Sequence, residues 1–194
     1  MAGKKTKMAI GGVMYAVLFA LGSETITGSL NTKTCGGTEW WNEKILSPGS
    51  TTGINFTPVV TTIKDLTSKN TDNVDFSTTR PRPPIENQAY TVNNVLITLV
   101  KRESDNDYHI VIEDGKNNHM IVEIPDPDCP DAQASSHCSN YQKARDEMDK
   151  YGTSYRHHLF DVTGVLFVDK AHGQTGHADN NVELHPVLSL KAVK

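Results

Sequence analysis

Residues 95–125, VLITLVKRESDNDYHIVIEDGKNNHMIVEIP, decide the fold. Val95, Ile97 and Leu99 alternate with Leu96, Thr98 and Val100, which predicts a strand too apolar to keep one face wet throughout. Asp105-Asn106-Asp107 supplies turn chemistry, because short polar side chains bond their own backbone and tolerate left-handed geometry. Tyr108, Ile110 and Ile112 then alternate with His109, Val111 and Glu113 in a second strand. Asp114-Gly115 and Asn117-Asn118 read as a hairpin turn. Met120, Val122 and Ile124 give a third strand that Pro125 ends. Three successive antiparallel strands follow.

Outward from this meander, Tyr141, Ala144, Met148 and Tyr151 recur every three or four residues with charged residues between them, an amphipathic helix. Phe160 to Asp169 is a fourth strand, His172 to Asn181 a polar loop, and Val182 to Leu190 a fifth strand in which Pro186 marks an edge or a bulge. Three strands, a helix and two strands is the element order of an OB-fold. The expected class is mainly β: a five-stranded OB-fold-like barrel with a helix between strands three and four, plus an N-terminal extension. Toward the N-terminus, residues 67–88 read as loop and Thr62 with Asp65 predicts a short capped helix. Residues 23–57 are Gly/Ser/Thr-rich and are expected to lie across the domain, with one of Trp40 and Trp41 docked and the other partly exposed.

At the N-terminus, Lys4, Lys5 and Lys7 precede an apolar run from Met8 to Leu21, and Ala20-Leu21-Gly22 suits a signal peptidase. The expected organisation is therefore a signal peptide over 1–22 (the competing reading is an uncleaved anchor), an extension and linker over 23–88, and the OB-fold-like domain over 89–194. The expected location is secreted, periplasmic or extracellular, with no integral membrane domain once the signal is removed. Nineteen basic against twenty-three acidic residues leave a net charge of −4, and losing the three lysines makes the chain more acidic still. A phosphate-binding surface is thereby disfavoured, so protein or oligosaccharide partners are preferred to nucleic acid. Cys129 and Cys138 flank a short segment and are expected to form a disulfide, leaving Cys35 as the odd thiol.

The stretches from Lys101 to Ile112 and Met120 to Cys129, with Val162-Thr163-Gly164-Val165, His172-Gly173-Gln174-Thr175-Gly176 and Glu183-Leu184-His185-Pro186-Val187-Leu188, resemble a family of exported bacterial domains. The similarity covers residues 39–190, and HGQTG followed by ELHPVL is its most specific part. The resemblance implies secretion and a shared OB-like domain. It supplies no activity, substrate or catalytic residue. His177 departs from the pattern, which is apolar there.

In an OB-fold the loop after strand one and the loop between strands four and five flank the binding face. Those loops carry the predicted binding residues Asp105, Asp107, His172, Gln174 and His177. Asp105, Asp107 and Asp126 are the candidate ligands for a hard divalent cation, whereas His172, His177 and His185 suit zinc. Turn capping explains the same aspartates without any ion. His185, if inward, is expected to have its ring nitrogens satisfied by neighbours, and Glu123 and Glu183 to pair across strands with Lys or Arg. The favoured function is a non-enzymatic domain acting by binding or extracellular assembly, with no cofactor other than that possible divalent cation. The alternative is a metal-dependent hydrolase of the staphylococcal-nuclease-like kind, suggested by Asp105, Asp107 and Asp126-Pro127. That chemistry needs cations to stabilise a phosphorane-like transition state, and Arg145 is the only candidate.

Overall fold

The computed structural model describes residues 35–37, 39–77 and 80–194; the expected signal, residues 1–22, lies outside them. The elements are α1 (Trp41–Lys44), β1 (Asn55–Thr61), α2 (Ile63–Thr67), β2 (Gln88–Arg102), β3 (Tyr108–Glu113), β4 (His119–Ile124), α3 (Pro130–Gln133), α4 (Cys138–Tyr151), β5 (Leu159–Val168) and β6 (Val182–Ala192). The sheet runs β1-β2-β3-β4-β6-β5, and β2 also pairs with β5. Strands β2 to β6 therefore close into a five-stranded barrel. The β4–β6 pair is parallel, the other barrel pairs are antiparallel, and α3 and α4 lie between the third and fourth barrel strands. This is the OB topology expected from the meander.

Closure depends on bent strands. β2 pairs with β5 through Ala89–Leu96 and with β3 through Leu96–Arg102, and its register shifts between Val92 and Val95 and again between Ile97 and Leu99. Asn94 sits in the first irregularity at φ 55. Such irregularities increase local twist and let one strand serve two neighbours. A further bulge lies in β6, where His185 and Pro186 oppose one β5 residue between the Gly164–Val187 and Leu166–Leu184 pairs. The sequence placed an edge or bulge at Pro186 for this reason. Gly164 faces it so closely that a Cβ would lie 2.9 Å from both Leu184 Cβ and the Pro186 carbonyl oxygen, so only glycine fits unshifted.

The barrel interior takes one row of each alternation: Ile110, Ile112, Met120, Val122, Ile124 and Leu184 join Phe160 and Val162 in one buried cluster. Helix α4 closes it with Tyr141, Ala144 and Met148. Thr62 caps α2 as its spacing with Asp65 predicted, its Oγ1 accepting from the Asp65 amide at 3.1 Å.

β1 was not expected, since its residues read as extension. It adds in parallel to the β2 edge. Pro58 in its middle obscures a strand signal and is tolerated because the strand is outermost. The disulfide is a correction. Cys35 pairs with Cys129, with Cα atoms 5.5 Å apart, and Cys138 is free. Cys129 caps α3 and Cys138 opens α4, so the short segment between them is coiled into helical turns. Cys138 Sγ turns to the Pro127 carbonyl at 3.6 Å, while the N-terminal segment delivers Cys35 from 94 residues away. Among the described residues, no helix is long and apolar enough to cross a membrane.

Candidate functional site

The other row of the same alternation faces outward on the barrel wall. His109 pairs with Glu123 across β3 and β4, and Ile121 with Glu183 across β4 and β6. Glu183 and His185, two residues apart in β6, share that outer face, and the bulge after His185 brings Val187 inward beside Leu184. An outward face ordinarily meets water. Here His109, Glu123, Glu183 and His185 are all at most 5% exposed.

Two pieces of chain cover them. The first is residues 35–37 and 39–46, which form a roof. Trp40 packs 6.1 Å from the Phe167 ring and donates its indole N–H to the Ser77 carbonyl. The Tyr141 hydroxyl donates to the Ile45 carbonyl at 2.8 Å, the Ser135 hydroxyl donates to that of Leu46 at 2.9 Å, and the disulfide fixes the far end. The second is the β5–β6 loop. Gly176, at φ 84, lies so close on Val111 that a side chain there would collide, and His109 Nε2 donates to the Thr175 carbonyl at 2.9 Å.

Between roof and wall lies a cavity of about 520 Å³. The half-buried Trp41 and Lys44 come from the roof, Lys101 from the end of β2, and Glu103 and Asp105 from the turn after it. His172 and Gln174 come from the β5–β6 loop, and Glu123 lies at the floor. Of the predicted binding residues, Asp105, His172 and Gln174 meet here. Gln174 Nε2 donates to Asp169 Oδ2 at 3.3 Å, and His172 lies 3.5 Å from the same oxygen. His177 is exposed, does not line the cavity, and has Nδ1 3.1 Å from the Ala178 carbonyl. Asp107 is fully buried behind the wall. Asp126 is also buried, with carboxylate oxygens 3.7 Å from Arg102 and 3.8 Å from Arg145, and its amide donates to Asp107 Oδ1 at 3.0 Å.

Beneath the cavity the charges are tightly coupled. His109 Nδ1 donates to Glu123 Oε1 at 2.9 Å, and its Nε2 faces a carbonyl, so both ring nitrogens carry protons. His185 Nδ1 lies 3.1 Å from both Glu123 Oε2 and Glu183 Oε1. Glu123 and Glu183 thus pair with histidines, not with the Lys or Arg that strand position suggested. Burial alone would raise the Glu123 carboxyl, but hydrogen bonds from His109 and His185 hold it well below the usual range. Burial and the Glu123 and Asp169 charges push Glu183 up to about 7. Burial would lower the His185 imidazolium, yet Asp107, Glu123 and Glu183 hold it well above its ordinary value. Lys44, 3.0 Å from Asp169, stays charged because Glu183, Asp169 and Glu123 outweigh its desolvation.

Sequence reasoning missed Trp41, Lys44, Glu123 and Glu183 as parts of a site. One signal was available: His109 and Glu123 are ionisable residues within otherwise apolar strand rows. No family model, curated protein or solved structure matches this chain. Its site is therefore read from its own side chains.

Proposed function

We propose that this protein is an exported binding domain whose roofed cavity takes a polar, hydroxyl-rich ligand of the oligosaccharide class. The observation that carries the reading is the cavity itself, formed where the two loops flanking the OB binding face meet the N-terminal roof. Its volume falls within the roughly 300–1,000 Å³ of ligand sites. Trp41 offers an amphipathic ring, and Glu103, Asp105, His172 and Gln174 offer acceptors and donors around it. Along the cavity lining, Glu39, Glu103, Asp105 and Glu123 outnumber Lys44 and Lys101, and Lys101 is paired with Glu103 at 2.8 Å. That balance repels a phosphodiester backbone. The Cys35–Cys129 bridge and the basic, then apolar, N-terminal sequence support an oxidising compartment outside the cytoplasm.

Nuclease-like hydrolysis is less well supported. Arg145 donates to the carbonyls of Asn106, Ile124 and Pro125 at 2.7–2.9 Å and stacks 4.1 Å from the Tyr108 ring, which leaves it no freedom to clamp a phosphate. Calorimetric titration with a panel of neutral and amino-sugar tri- and tetrasaccharides tests the reading. Binding by the native protein that falls about tenfold or more in Trp41→Ala and in Asp105→Asn supports it. Cleavage of plasmid DNA with magnesium or calcium, lost in Asp107→Asn, would replace it with the hydrolase.

A further inference from the structure

We propose that Asp107, Glu123 and His185 form a site for one divalent transition-metal ion, zinc by preference, set into the wall beneath the cavity. These three residues place one donor atom each within 4.8 Å of one another, and all three are buried. The independent observation is a buried ion pair that makes no hydrogen bond. Asp107 Oδ2 and His185 Nε2 have no hydrogen-bond partner, although Asp107 is 0% and His185 1% exposed. They face each other at 3.5 Å. Two donors held tetrahedrally at zinc's roughly 2.0–2.2 Å lie about 3.4 Å apart, so the gap suits a shared ion better than an aligned hydrogen bond.

The surrounding contacts are those a metal site requires. A ligating histidine commonly gives its second ring N–H to a carboxylate, which fixes its tautomer and orientation. His185 Nδ1 lies 3.1 Å from both Glu183 Oε1 and Glu123 Oε2. The ligating carboxylates are themselves tethered: Asp107 Oδ1 accepts from the Asp126 amide at 3.0 Å, and Glu123 Oε1 accepts from His109. Glu123 also lines the cavity, so the ion would lie where solute can reach the wall. Asp107, Glu123, Asp169 and Glu183 bring four carboxylates to this face, where Lys44 and the protonated His109 are cations. A mixed imidazole and carboxylate set favours zinc over calcium or magnesium, which prefer oxygen alone. The inference does not depend on the oligosaccharide reading, since a metal can bind whether or not a sugar does.

The test uses the native protein stripped with EDTA and titrated calorimetrically with zinc chloride, then with calcium chloride. One zinc per chain is expected, with calcium bound far more weakly. Asp107→Asn and His185→Gln should each lower zinc affinity by at least tenfold, and Glu183→Gln by about 10–100-fold through loss of the orienting contact. His157→Ala and His177→Ala, at exposed positions, should leave it unchanged. Should the buried variants fail to fold, native crystals soaked in zinc decide the matter by anomalous scattering. A peak between Asp107 Oδ2 and His185 Nε2 confirms the site. No peak there, or zinc affinity that follows the exposed histidines, overturns it.

Discussion

The inner and outer faces of β3 and β4 are products of one alternation, but they are held by different forces. Inside, Ile110, Ile112, Met120 and Val122 pack as apolar side chains that only need the right volume. Outside, His109 and Glu123 sit in the same strands and are equally buried, but each needs a particular charged or polar partner. A buried row of ionisable groups is costly unless every member is paired, and replacing it with apolar residues is often neutral or stabilising. Stability alone therefore gives little reason to keep charges on the outer face. A cavity that opens onto that face gives one.

A matched pair of substitutions separates the two faces most sharply. Phe160→Ala empties the interior and should cost about 3–5 kcal/mol in urea unfolding. Glu123→Gln removes the partner of both His109 and His185 and should cost a similar ~3–5 kcal/mol. The two should differ in binding: where Phe160→Ala still folds, cavity and metal affinities stay near native, whereas Glu123→Gln loses both. A cost below ~1 kcal/mol for Glu123→Gln would show that the outer row is not tightly held.

Acidity gives a smaller effect with a definite sign. In protein kept metal-free with EDTA, Glu183 titrates near 7 when folded against an ordinary 4.5. The folded state then holds its proton more tightly, so that stability is complete below pH 4.5 and is lost as pH rises toward 7. His185 and His109 are also raised, and the loss continues as pH rises above 6.5. The unfolding free energy from denaturant titrations should fall between pH 5 and 8, by up to about 1.4 kcal/mol per pH unit for each proton released on unfolding. Glu183→Gln should flatten this slope. The interior row contributes nothing to it, so an unchanged slope would break the contrast between the faces.

The barrel was legible because alternation, turn residues and a helix of period 3.6 agreed along residues 88–192. Asn106, Gly115 and Asn117 take the positive φ values that their turns advertised. The roof was legible only in outline: one docked and one partly exposed tryptophan were expected and are found in Trp40 and Trp41, but residues 35–37 and 39–46 carry no periodicity and acquire structure from what they touch. The cysteine pairing failed for the same reason: separation along the chain favoured Cys138, whereas the roof carried Cys35 to Cys129. The loop residues Asp105, His172 and Gln174 could be found because OB topology brings their loops together. Glu123, Glu183 and Lys44 could not, because a charged residue on an outward strand position normally meets water. The roof and the β5–β6 loop reverse that reading, and both lie far from β3 and β4 in sequence.

The most direct test of the roofed cavity is an amide and indole NMR titration of the native protein with the tightest-binding member of the oligosaccharide panel. Shifts should concentrate at Gly37, the Trp41 indole N–H, Ser104, Asp105, Gly173 and Gln174, which line the cavity from all three of its walls. Ile110, Ile112 and Phe160 in the interior should barely move. Shifts confined to another surface, such as the groove between α4 and β6 beside Lys143 and Lys191, would contradict the account.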